Sequence, residues 1–214
     1  MGTAALLRER LQTTLGSRFE ATFLTRKTAR ETLPSLAGEI PRGALTEIAG
    51  PASSGRTSLL YSLLAAASAE QEFCALLDAE DTFDPESAAA AGVRLSQVLW
   101  VRCGGNVEHT IKASDLLAQA GGFGLVAIDL GDTPVNISRR IPLVTWFRLR
   151  HAVENTRTVL AVLTQQVLTH PCSALKIELS RNRVLWRGLL DSFEVTAKRS
   201  WNHQTQERRF TVSV

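Results

Sequence analysis

The hydrophobic pattern changes character twice along the chain. Residues 3–15 place Leu6, Leu7, Leu11 and Leu15 at helical spacing with arginines between them, and Gly16 follows as a stop. Residues 17–37 are polar and carry no clear period. From residue 44, short apolar runs alternate with helical stretches. The runs predict strands over 44–50, 73–80, 98–103, 125–130 and 158–164; the stretches predict helices over 55–71, 109–121 and 138–155, with a short one at 85–92. Continuous apolar strands separated by helices imply a parallel sheet covered on both faces. After residue 170 the segments 174–180, 183–188, 192–199 and 208–214 alternate partly, with no helix between them. They predict antiparallel strands extending one edge. The expected fold class is therefore α/β: one core over 36–214 with a mixed sheet, preceded by an appendage over 1–35 that serves association.

Composition narrows the picture only a little. An apolar fraction of 44% is ample for a core, and a net charge of +3 permits an acidic partner such as nucleic acid without demanding one. Cys74, Cys103 and Cys172 are odd in number and widely spaced, which predicts reduced thiols. No apolar stretch reaches roughly 18 residues and no signal-peptide core opens the chain, so a cytoplasmic protein without membrane contact is expected. His109, His151, His170 and His203 share no metal-ligand spacing and flank no nucleophile motif.

The chemistry concentrates between the first predicted core strand and its helix. Gly50-Pro-Ala-Ser-Ser-Gly55-Arg56-Thr57 matches the phosphate-binding loop G-x-x-x-x-G-K-[ST] at every defined position except the lysine. Glycines let such a loop turn its N–H groups onto phosphate oxygens, and the helix behind offers its positive end. Gly50, Ser53, Ser54, Gly55, Arg56, Thr57 and Ser58 are the candidate cofactor contacts, with ATP as the cofactor. The Thr57 hydroxyl stands where Mg²⁺ would be held. Arg56 changes the expectation, because a guanidinium is planar, larger than an ammonium and binds as a fork. Three outcomes stay open: a loop that keeps its shape without tight ATP binding, binding without efficient hydrolysis, and a working ATPase.

Other acids and amides complete the candidate set. Asp129 ends the run LVAID, the place of the acid that holds Mg²⁺ through water. Glu80 closes the predicted strand over 73–80, where a carboxylate can orient or deprotonate water, with Asp78 and Asp81 as rivals. Gln165 follows the strand over 158–164, with Gln166 beside it. Lys198, Arg199, Arg208 and Arg209, near Trp201 and His203, mix basic and aromatic residues in a way that suits nucleic acid or a solvated hairpin.

Residues 40–60 (IPRGALTEIAGPASSGRTSLL) resemble the RecA recombinase core, whose corresponding region runs LPRG, a strand, then GPESSGKTT. The likeness continues through LLDAEDTFDPESAAAAGV at 76–93 and spans roughly 36–214. It implies Glu80 as catalytic carboxylate, Asp129 as the acid on the Mg²⁺ side and Gln165 as a switch glutamine. Lys198 is implied as one of two basic residues reaching a neighbouring subunit's nucleotide; the second falls at Ser200 and is lost. RecA binds DNA through two long loops, whereas the matching connections here are GDTPVNIS and QVLTHPCS, eight residues each. The core pattern runs to the end of the sequence, so a counterpart of RecA's C-terminal domain is not expected. The chain is thus similar to the ImuA group of bacterial RecA-like accessory proteins. That resemblance implies damage-induced mutagenesis alongside a Y-family polymerase-like partner, ImuB, an error-prone C-family polymerase and RecA, with self-association or DNA contact also open. The function classes are an adaptor, a DNA-dependent ATPase or recombinase paralogue, and an antagonist of RecA filaments.

Overall fold

The computed structural model describes residues 2–16, 32–169, 171–187 and 189–213. The order is α1 (Thr3–Leu15), β1 (Thr32–Leu33), β2 (Ile40–Pro41), β3 (Ala44–Ala49), α2 (Arg56–Ala69), β4 (Cys74–Asp78), α3 (Pro85–Ala90) and β5 (Val98–Arg102). There follow α4 (Val107–Ala120), β6 (Leu125–Asp129), α5 (Val135–Ser138), α6 (Leu143–Val153), β7 (Val159–Thr164), β8 (Leu175–Arg187), β9 (Leu189–Trp201) and β10 (Gln204–Ser213). One sheet runs β10-β9-β8-β3-β7-β6-β4-β5, and β1 and β2 form a separate pair. No helix among the described residues is long and apolar enough to cross a membrane.

The two-sided strands explain the layers. In β6, Leu125 and Ala127 face the cluster built on α2, whereas Val126 and Ile128 face the one built on α4, α6 and α1. β7 divides the same way, with Val159, Ala161 and Leu163 on the first side and Leu160 and Val162 on the second. Such strands must be buried on both faces, which is why their sequences read as unbroken apolar runs. β3, β7, β6 and β4 are internal and parallel, as the sequence predicts, and β5 lies at the edge.

Three elements depart from the sequence reading. The helix expected over 138–155 is broken into α5 and α6, because Pro142 lacks an N–H and stands at the N-cap of α6. The segments 174–180 and 183–188 join into β8, which carries a register shift between Arg181 and Arg183. β8 itself runs parallel to β3 and antiparallel to β9, so the antiparallel extension begins one strand later than expected. The turn between β9 and β10 has Asn202 and His203 at φ 44° and 64°, the left-handed pair that a two-residue hairpin needs.

α1 lies against α4, burying Leu11 and packing Leu7 on the core, while Leu6 stays exposed. Its apolar stripe is thus covered at least in part by the chain's own core. Residues 17–31 of the expected association segment lie outside the described residues. Cys74, Cys103 and Cys172 are free thiols, two of them buried.

Candidate functional site

The parallel register brings the carboxyl ends of β3, β7, β6 and β4 side by side; Asp78 and Asp129 are Cα partners across β4 and β6. Gly50 continues β3 by giving its N–H to Thr164 O at 3.1 Å. The chain then turns through Ser53 at φ 58° and Gly55 at φ 93° into α2. Gly50 cannot be larger, since a Cβ would come 2.8 Å from the Leu179 carbonyl and 2.5 Å from Ser54 Oγ. At Gly55 a Cβ would sit 2.9 Å from Val195, so β9 presses on the loop from one side. The loop is the strand–turn–helix that its glycine spacing predicts.

The Arg56 guanidinium is bonded to the connection after β6. Nη1 donates to Gly131 O at 2.5 Å, and Nη2 lies 3.5 Å from Asp132 Oδ1. The residue is 7% exposed. Gly131 is what admits the guanidinium, because a Cβ there would come 2.8 Å from Nη1. Gly131 N in turn donates to Asp129 Oδ1 at 2.8 Å. The first helical residue of α2 is thereby bonded to the connection after β6.

Asp129 sits close to this contact. Burial pushes its carboxyl up to about 6, further raised by the Asp78 charge and opposed by the Gly131 N–H and by Arg56. A cleft of about 330 Å³ opens between the loop and this strand end, lined by Ser53, Thr57, Ser58, Asp129, Leu163 and Phe193, with Arg56 and Gly131 in its wall. The loop N–H groups could hold a phosphate, and Thr57 with Asp129 could hold Mg²⁺ at one remove. The cation set fits an ATP less well, because the guanidinium is bonded to a carbonyl and faces an acid. Among the described residues no group of three or more His, Cys, Asp or Glu is placed to hold a metal ion directly.

A second line of residues links the strand ends. Glu80 Oε1 accepts from Thr133 Oγ1 at 3.0 Å, and Gln165 Nε2 donates to Thr133 O at 3.3 Å. Thr133 is 1% exposed and joins the two residues nominated from sequence. Their rivals are occupied elsewhere. Asp78 accepts from the N–H groups of Thr82 and Phe83 and from Trp100 Nε1, at 2.9–3.1 Å. Asp81 accepts from Gly104 N and pairs with Arg102. Gln166 is turned away, accepting from Arg139 at 2.6 Å. Glu80 lies just past the end of β4 rather than in it.

The four basic residues nominated for nucleic acid do not share a surface. Arg199 is 8% exposed, donating to Ala37 O at 2.7 Å and to Glu39 O. Arg208 lies beside it, both guanidinia closing on Gly38, whose φ of 97° and lack of Cβ make room. Lys198, paired with Glu207, and Arg209, paired with Thr196, occupy the opposite face of β9 and β10. Glu194, Thr196 and Ser200 on β9 and Thr205, Glu207 and Thr211 on β10 share that face with them.

Sequence reasoning misses Gly131, Asp132 and Phe193 at the cleft, Thr133 between Glu80 and Gln165, and Glu47 in β3. Glu47 is fully buried in β3, accepting from the N–H groups of Leu168 and Thr169 and from Thr169 Oγ1 at 2.5–3.2 Å. It ties down the connection after β7. The one signal for it is a lone acid inside the apolar run over 44–49.

Among known proteins, the sequence pattern of the RecA N-terminal domain matches residues 26–135, which include the loop, Glu80, Asp129 and Thr133.

Proposed function

The chain belongs to the RecA N-terminal domain family, and from that premise we propose that it works as a non-recombinase adaptor in damage-induced mutagenesis. In this reading it holds protein partners of a translesion complex, a Y-family polymerase-like protein of the ImuB kind and an error-prone C-family polymerase, with RecA or DNA as further contacts. The observation that carries it is the Arg56–Gly131 bond. A P-loop lysine neutralises the β- and γ-phosphates as a mobile point charge. Here the residue in its place joins α2 to the connection after β6 and supports the fold. The loop's shape is kept and its cation is turned to another use. Short connections, residues 130–134 after β6 and 165–174 after β7, against the long DNA loops of the recombinase, support the same reading.

ATP hydrolysis with and without single-stranded DNA tests it, together with damage-induced mutation frequency in cells carrying Arg56→Ala. The adaptor reading predicts background hydrolysis in both conditions and mutagenesis that survives the substitution, provided the variant stays folded. A DNA-stimulated rate abolished by Glu80→Gln contradicts it.

That second outcome belongs to an alternative, a DNA-dependent ATPase. It is favoured by the Glu80–Thr133–Gln165 connection, which links a candidate catalytic carboxylate to a candidate switch amide. In that case ATP and Mg²⁺ would be held by the loop N–H groups, Thr57 and Asp129.

A further inference from the structure

α6 is apolar on two faces. Trp146, Leu149 and Val153 are buried in the core, whereas Leu143, Val144 and Phe147 remain 46%, 67% and 44% exposed. A surface helix ordinarily gives its outer face to polar residues. Ile137 on α5 adds another exposed apolar side chain, at 41%. Among the described residues seven large apolar side chains are exposed, and four of them fall within 137–147, which marks an interaction surface rather than scatter. Beside them a groove of about 390 Å³ runs between the first turns of α4 and the α5–α6 junction. Val107, Ile111, Ile137, Ile141 and Pro142 wall it, with Arg140 on its rim.

Charge around the groove is unbalanced. On α4, Glu108 is paired with Lys112 at 2.7 Å and Asp115 with Arg148 at 2.8 Å. Among the described residues Arg139 meets only the neutral Gln166 amide oxygen. Arg140 meets no acid among the described residues. Among the described residues the acids on α4 are matched and two adjacent arginines meet no acid.

We propose that this groove docks an amphipathic helix of a protein partner, its apolar side seated between α4 and α5–α6 and against Val144 and Phe147, its flanking Asp or Glu meeting Arg140 and Arg139. The walls are α4, α5 and the turn leading into α6, with no strand among them, so the occupant is a helix with anchors at i, i+3 or i+4, and i+7. A second copy meeting the same patch across a two-fold axis would set these arginines against their equivalents. Nucleic acid would gain from the arginines but nothing from the apolar ridge. The proposal rests on the adaptor reading in supplying a surface for an adaptor's partner.

The test is selection of displayed peptides of about 16 residues on the full chain, long enough for a helix, followed by affinity measurement. Amphipathic peptides carrying Asp or Glu should be enriched. Val144→Asp and Arg140→Glu, both at exposed positions, should each weaken binding about tenfold or more with melting temperature unchanged. Changing the peptide's acids to lysine should weaken binding to the unmodified chain and restore it to Arg140→Glu. Failure to enrich any peptide, or equal binding by both variants, overturns the proposal. Self-association lost in Val144→Asp would assign the face to a second copy. Binding of a single-stranded oligonucleotide, lost in Arg140→Glu and kept in Val144→Asp, would assign it to nucleic acid. None of these results bears on hydrolysis, so a failure here stays distinct from a failure of the adaptor reading.

Discussion

Arg56 Nη1 donates to the carbonyl of Gly131, a residue 75 positions away on the far side of the cleft. The bond makes a P-loop side chain part of the scaffold. Arg56→Ala leaves that buried carbonyl without its donor, so a loss of about 1–3 kcal/mol in chemical unfolding is expected. An arginine that merely crowded an anion site would show no loss on removal.

Asp129 supplies a pH signature. Its carboxyl is raised from 3.8 to about 6 in the fold, chiefly by burial. The unfolded chain therefore ionises first as pH rises, and ionisation works against the folded state. Stability from this group is full below about pH 4 and is lost as pH rises to about 6. Asp129→Asn, which can still accept from Gly131 N, should raise stability at pH 7 by about 1–3 kcal/mol and change little at pH 4. Melting curves across that window check it; an equal effect at both pH values would contradict the assignment.

Lys198, Arg199, Arg208 and Arg209 should separate into two phenotypes. Arg199→Ala leaves Ala37 O and Glu39 O without their donor and should cost about 2 kcal/mol in unfolding. Lys198→Ala with Arg209→Ala should leave stability within about 0.5 kcal/mol. If the chain binds single-stranded DNA through that outer face, the double variant lowers both affinity and its salt dependence. Unchanged binding in the double variant removes the face from consideration.

Glu47 tests whether the connection after β7 is held from below. Glu47→Ala removes the acceptor for Leu168 N, Thr169 N and Thr169 Oγ1. The expected results are a loss of about 2–4 kcal/mol and faster amide exchange at Leu168 and Thr169 than elsewhere. Uniform change across the chain would mean that Glu47 serves the strand and not the loop.

The parallel core is legible in the sequence because two-sided burial leaves unbroken apolar runs, and the P-loop because its glycines are set by close approaches within a few residues. The break between α5 and α6 is missed by a reading that carries one helix across Pro142 on apolar period alone. The role of Arg56 is not legible, since it depends on Gly131, whose missing Cβ matters only once β3 and β6 stand two strands apart in the sheet. Lys198 and Arg199 look like one basic cluster in sequence, yet strand alternation sends them to opposite faces. Thr133 carries no signal of its own; it joins Glu80 and Gln165 only where the ends of β4, β6 and β7 converge.

Titration calorimetry of ATP with Mg²⁺ into the unmodified chain and into Arg56→Lys addresses the central claim most directly. If Arg56 is bonded into the connection after β6 and does not serve phosphate, the unmodified chain shows no saturable heat up to about millimolar ATP, and Arg56→Lys gains binding of about tenfold or more. A tight, Mg²⁺-dependent complex in the unmodified chain, weakened by Arg56→Lys, would contradict the account.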